Sequence, residues 1–264
     1  MRIARRPVIA LLPVLLVAVS GCDIVTADLK AHETAEWRKS YQLSPGGRVE
    51  IRNVNGRIEV QPSEGNTVEI VALKSARAGS PEAAKEALGR IEILDSSSGN
   101  LIKVETRLPR GGQIFHRGGT EVRYTVKVPA AAEVEFSTVN GGIELTGLTG
   151  RIKTETTNGG IVGRDLGGPI EATTTNGGVE VAVTRIAEHG IRLGCTNGGI
   201  KLRLPSDARA TISASVTNGG ISADGLSIET TESSRRRLEG RLNGGGPQVR
   251  LEGTNGGIRI ASRE

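Results

Sequence analysis

The chain has 264 residues, 34 Lys+Arg against 29 Asp+Glu, 37 glycines, and five aromatic side chains: Trp37, Tyr41, Phe115, Tyr124 and Phe136. Such a composition builds its core from small and β-branched side chains rather than from rings. The formal charge of +5 falls to +2 once Arg2, Arg5 and Arg6 are set aside with the leader described next. With so few rings to stack on bases, this argues against a nucleic-acid binder.

Residues 1–21 begin basic, run apolar from Val8 to Val19 and end on the small residues Ser20 and Gly21. That order is a secretory signal peptide, and the apolar stretch is short for a transmembrane span. Val19-Ser20-Gly21-Cys22 resembles a bacterial lipobox, which implies cleavage before Cys22 and acylation of its thiol. Arg5-Arg6 is followed by Pro7 and lacks the rest of a twin-arginine signal. If Cys22 carries lipid, Cys195 stands alone and the mature domain has no internal disulfide. A lipidated N-terminus anchors a chain to a membrane without spanning it. The expected location is the bacterial cell envelope, exported and lipid-anchored, facing the periplasm or the cell surface. Residues 22–44 are mostly polar and read as the lipidated cysteine and a tether, leaving 45–264 as the folded domain.

An internal repeat organises that domain. Asn-Gly-Gly followed by an apolar residue recurs at Asn140, Asn158, Asn176, Asn197, Asn218 and Asn255, with a variant Asn55-Gly56-Arg57-Ile58 near the start. From Asn140 to Asn218 the spacings are 18, 18, 21 and 21 residues, a period that belongs to repeat architectures. Positions six, four and two before the asparagine carry Ile152, Thr154 and Thr156 in one copy and Ile191, Leu193 and Cys195 in another. Three and five after it come pairs such as Ile143 and Leu145. This alternation predicts strand, turn and strand, one face buried and one wet.

Two folds fit. Asn-Gly is a strong hairpin signal and allows an antiparallel meander. Alternatively each unit is one turn of a parallel β-helix, its equivalent residues stacked about 4.8 Å apart. The near-constant period and the repeated asparagine favour the solenoid, because stacked amides hydrogen-bond along the axis and glycine permits a tight corner. Leu148, Leu166 and Leu226, each eight residues after its asparagine, suggest a third corner. The Asn243-Gly244-Gly245-Gly246 run is out of register and reads as a turn in an insertion over 229–247.

Residues 66–129 do not follow the repeat. Strands are predicted over 67–73, 91–94, 101–108 and 121–128. A helix opens at the N-cap Ser80 with Pro81 and Glu82 behind it, and Gly89 closes it.

Three stretches make the chain resemble the DUF4097 family of adhesin-type bacterial domains. They are NTVEIVALKSA at 66–76, YTVKVPAAAEVEFSTVNGGIEL at 124–145, and the serial TNGGI copies. The resemblance covers about residues 45–262. It implies an all-β, single-stranded, right-handed parallel β-helix with one strand–helix–strand insertion, and a place in the cell envelope. It carries over no catalytic residues.

The asparagines Asn55, Asn140, Asn158, Asn176, Asn197, Asn218 and Asn255 read as a structural ladder, in which the coil of Asn255 has a neighbour on one side only. Calcium-binding rolls need an aspartate in each glycine-rich turn, and no carboxylate recurs beside these. Polysaccharide-cleaving β-helices need acids clustered at one place. Here the outward residues Glu155, Glu171, Arg192, Lys201 and Arg203 are scattered. His32, His116 and His189 have no partners at ligand spacing, and Cys195 occupies an inward position as a small hydrophobe. Arg110, Phe115, His116 and Arg117 gather on a glycine-rich loop and form the candidate partner contact, while Arg235-Arg236-Arg237 reads as a solvated charge run. The expectation is a non-enzymatic envelope lipoprotein, without metal or cofactor, whose solenoid offers a surface for adhesion or scaffolding. Its partners are membrane lipid through Cys22 and a glycan or envelope protein. A component of an envelope-stress or signalling system is the second reading, distinguishable by genomic neighbours; a glycan-active enzyme is the third.

Overall fold

The computed structural model describes residues 31–108 and 119–263. Residues 1–21, Cys22, Arg110, Phe115, His116 and Arg117 lie outside the described residues.

The chain opens with β1 (Ala31–Gln42), β2 (Arg48–Arg52), β3 (Ile58–Ser63) and β4 (Thr67–Ala78), followed by α1 (Pro81–Gly89), β5 (Glu92–Ser98), β6 (Leu101–Arg107) and β7 (Gly119–Pro129). The repeat supplies β8 (Glu133–Asn140), β9 (Ile143–Thr146), β10 (Ile152–Asn158), β11 (Ile161–Leu166), β12 (Ile170–Asn176), β13 (Val179–Val183), β14 (Ile191–Asn197) and β15 (Ile200–Leu204). Then come β16 (Ala210–Asn218), β17 (Ile221–Asp224), β18 (Ile228–Ser233), β19 (Arg237–Leu242), β20 (Gln248–Asn255) and β21 (Ile258–Ser262).

These strands form two long sheets. One has the order β1-β4-β7-β3-β9-β11-β13-β15-β21-β17 and the other β18-β19-β16-β20-β14-β12-β10-β8-β2-β6-β5. Neighbouring repeats pair in parallel and in register, Ile152 against Val134 on one side and Ile170 on the other. Each repeat therefore gives one strand to each sheet and is one coil of a solenoid. The antiparallel meander, which would pair each strand with the next across its Asn-Gly turn, does not occur.

The core lies between the sheets and is made by the inward positions of the alternation. Ile58, Ile143, Ile161, Val179, Ile200 and Ile258 are all buried at equivalent places. Leu148 and Leu166 are buried at the third corner, and Leu226 packs partly against it. Tyr124 and Phe136 are the two large rings fully enclosed. The Tyr124 hydroxyl shares a 2.6 Å hydrogen bond with Thr106, which supplies the partner a buried phenol requires.

Three sequence expectations are corrected. Residues 31–42, read as tether, are β1, paired antiparallel along its whole length with β4. The strand is polar because it lies at a sheet edge; only Ala31, Glu33, Ala35, Trp37 and Tyr41 are half-buried. Lys39 Nζ donates to both Asp95 oxygens at 2.6 and 2.7 Å and the Tyr41 hydroxyl donates at 2.9 Å, tying β1 to β5 across the end of the solenoid. Burial works against ionising Asp95, but the bonds from Lys39 and Tyr41 outweigh it and hold the carboxyl below its usual range.

The second correction concerns 66–129. This stretch is not wholly outside the repeat, since β6 pairs in parallel with β2 and β7 with β3, forming an extra coil beyond the first. Within it, Ser80 Oγ accepts the Ala83 N–H as expected, whereas Gly89 is the last helical residue and Arg90 is the C-cap in a right-handed conformation. An αL glycine is unnecessary because the Arg90 N–H reaches back to Ala87 and Leu88. The third concerns the C-terminal coil. β20 lies between β14 and β16, and β21 between β15 and β17, so the last coil in sequence is not last in space. The 229–247 segment is the β18–β19 hairpin, which pairs antiparallel with β16 and caps that end.

Among the described residues no helix is long and apolar enough to cross a membrane.

Candidate functional site

The Asn-Gly-Gly corners stack into one edge of the molecule. Each asparagine ends its strand, the first glycine turns the chain, and the second enters the other sheet. The N–H of each first glycine donates to the asparagine carbonyl of the next coil, as Gly159 does to Asn176 at 2.8 Å. The N–H of the following Ile or Val donates to the next coil's second glycine, as Ile161 does to Gly178 at 2.9 Å.

The side chains form a continuous, one-directional chain of amides. Asn140 donates to Asn55, Asn158 to Asn140 and Asn176 to Asn158, each at 2.8 Å. Asn197 donates to Asn176 at 2.9 Å, Asn255 to Asn197 at 2.8 Å, and Asn218 to Asn255 at 2.9 Å. Asn55 heads the column by donating to the Thr120 carbonyl at 3.1 Å. All seven asparagines are thus brought together, with Asn255 inside the column and Asn218 at its end.

These amides are exposed rather than packed away, apart from the half-buried Asn55. An exposed neutral hydrogen bond contributes about 0.5–1.5 kcal/mol, so the ladder is a modest stabiliser per coil. Asn176→Ala and Asn255→Ala, each breaking two such bonds, are expected to lower the denaturant midpoint by similar amounts. Asn218→Ala breaks one and should lower it less. Unfolding curves of the full chain check this, and an Asn255 effect below that of Asn218 would contradict the stacking order.

Two threonine columns flank the ladder. One faces inward: Thr156 donates to Gly141 O and Thr174 to Gly159 O at 2.8 Å, and Cys195 Sγ donates to Gly177 O at 3.0 Å. Burial pushes the Cys195 thiol up, away from a nucleophile's range. The other column faces outward: Thr157, Thr175, Thr196, Thr254 and Thr217 are exposed, and their hydroxyls take no partner among the described residues. Sequence reading placed Thr156 and Cys195 on the inward face but missed their bonds to the glycine carbonyls, and it missed the outward column, although the Thr immediately before the asparagine in five copies was the available signal. On its outer side this edge is uncharged, with hydroxyls and amides repeating at the strand spacing of about 4.8 Å.

Several charged side chains elsewhere on the outer faces pair with one another. Glu144 pairs with Arg57 and Arg164, Glu180 with Lys201 and Arg203, and Glu135 with Lys153. The hydrogen bond from Lys153 holds Glu135, and that from Arg203 holds Glu180, below the usual carboxylate range. Carboxyls so held serve poorly as general acids. His32 and His189 are exposed on separate elements, and among the described residues no group of three or more His, Cys, Asp or Glu could hold a metal ion. Arg237 pairs with Glu232 and Glu239, while the Arg235 and Arg236 carbonyls accept from Ile221 and Val216 at the end of the stack.

Parallel coils, two long sheets and a laddered corner define the chain as an all-β solenoid protein. Residues 44–261 match the sequence profile of Toastrack DUF4097, and the chain belongs to that family. No curated protein matches it in sequence. A crystal structure of a "putative cell adhesion protein" from Clostridium sporogenes shares the fold at 12% identity and a TM-score of 0.51, covering 87% of this chain and 100% of that one. A "putative adhesin" from Bacteroides fragilis matches at 12% identity over 87% of this chain and 97% of its own, with a TM-score of 0.41.

Proposed function

We propose that the protein is a non-enzymatic lipoprotein of the cell envelope that presents its solenoid as a surface for adhesion or scaffolding. The outward edge of the Asn-Gly-Gly corners carries this reading. Over five consecutive coils it repeats a free threonine hydroxyl beside an exposed amide, an array suited to many weak contacts with a repetitive partner. Multivalent contacts of that kind reach useful avidity without a deep pocket. The relative from Clostridium sporogenes, described as a cell adhesion protein with the qualification quoted above, points the same way. The lipobox-like end at Cys22 supplies the anchor and residues 23–30 the spacer before β1, and the right-handed preference of parallel crossover connections favours a right-handed coil.

One pair of proteins tests this. The full chain should label with a fatty acid, sediment with membranes and be retained on immobilised envelope polysaccharide or matrix protein. The Cys22→Ser chain should lose the label and the membrane but keep the retention. An unlabelled native chain overturns the anchor; retention on no surface overturns the adhesive role.

A further inference from the structure

On the outer face of the second sheet, at the corner opposite the asparagines, a depression of about 300 Å³ spans four consecutive coils. Its floor is formed by the half-buried Pro169 and by the main chain at Ile152, Ile170 and Ile191, whose side chains point inward into the core. The register aligns the residues just before Ile170, Ile191 and Val249, which are Pro169, Gly190 and Gln248. Gly190, at φ +73° and against the Gln248 carbonyl, puts no side chain between its two neighbours and leaves the hollow open.

Its rim is cationic. Arg151, Arg192 and Arg250 line it together with His189, against the single carboxylate of Glu171. Arg250 is engaged by Glu252 at 2.8 Å, but the guanidiniums of Arg151 and Arg192 make no hydrogen bond or ion pair among the described residues. Other arginines of the outer surface, such as Arg57, Arg164 and Arg259, are held by carboxylates. A free guanidinium is a planar fork that grips a carboxylate or phosphate with two parallel hydrogen bonds. Two of them on the rim of a sugar-sized hollow form a receptor lacking only its anion.

We propose that this pocket binds an acidic sugar unit, the ring lying against Pro169 and one oxyanion held between Arg151 and Arg192. A hexuronate and a sugar phosphate both present that chemistry. The site is separate from the uncharged asparagine edge and does not depend on that edge's adhesive role.

The test is an NMR titration of the full chain at low salt with a glucuronate disaccharide, glucose 6-phosphate and the neutral glucose disaccharide. Saturable shifts at Gly190 and Ile191 are expected with one or both acids and none with the neutral sugar. Arg151→Gln and Arg192→Gln should each weaken binding about tenfold, the scale of one charge-assisted bond, and Arg77→Gln, on β4 of the other sheet, should not. A response to glucuronate alone assigns a carboxylate ligand, and one to glucose 6-phosphate alone a phosphate. No saturation with either acid, an equal response to the neutral sugar, or binding unchanged in both variants overturns the proposal. Surface retention of the chain without any response to acids would overturn the pocket and leave the adhesive reading standing; the reverse would overturn only the latter.

Discussion

A chain ending at Pro247 is expected to lose cooperative folding, not merely the increment of one terminal coil. The residues removed, 248–264, include β20 and β21, which fill a slot between the coil of β14 and β15 and that of β16 and β17. Val249, Leu251, Ile258 and Ile260 are all buried there. At about 1.5–3 kcal/mol for each fully buried apolar side chain, their loss rivals the 5–15 kcal/mol that holds a typical domain together. The deletion also strips cover from Leu193 and Leu202 on one side and Ile212 on the other, and cuts the amide column between Asn197 and Asn218. In a solenoid stacked in sequence order, the same deletion would remove one interface at the end and leave the remainder cooperative. Denaturant unfolding and limited proteolysis separate the two cases. Broad, early unfolding with cleavage after 204 is expected. A single sharp transition close to that of the full chain would show that β16 and β17 re-dock onto β14 and β15, so that the observed order adds nothing to stability.

The parts legible in the sequence are those that a period can encode. The spacing of the asparagines marked each corner, and the alternation around them separated core positions such as Ile152 and Ile170 from wet ones such as Lys153. Alternation records which face a residue takes, but not which strand lies beside it. The place of β20 is decided by the hairpin: β19 occupies the outer edge of β16, so the returning chain can pair only along the inner edge. The coil of β6 and β7 was hidden because residues 108–118, with no asparagine corner, join its strands. β1 was hidden because charges suit an exposed sheet edge, and its half-buried Trp37 and Tyr41 are diluted among them. The pocket at Gly190 was invisible for a related reason. Arg151, Arg192 and Arg250 are far apart along the chain and meet only when their coils are neighbours.

Within each Asn-Gly-Gly corner the two glycines are expected to behave oppositely when replaced by alanine. At Gly198 the backbone has φ +146°, and a Cβ would land well inside 3.0 Å of the Gly177 carbonyl oxygen in the adjoining coil. That carbonyl cannot retreat, because it already accepts from Cys195 and belongs to a corner hydrogen-bonded on both sides. Gly198→Ala is expected to cost about 3 kcal/mol or more, combining an unfavourable φ with overpacking against main chain. At Gly199 a Cβ would sit 3.4 Å from the Gly257 carbonyl oxygen, φ is not in the left-handed region, and the residue is exposed. The molecule itself shows that this second position tolerates a side chain, since Arg57 occupies it in the first coil, in register with Gly142. Gly199→Ala is therefore expected to change stability by no more than about 0.5 kcal/mol, the range of an ordinary surface substitution. Equilibrium unfolding of the two single variants decides between this account and a shared need for flexibility. Comparable losses at both positions would show that the corner requires glycine twice. The second glycine would then belong to the turn itself.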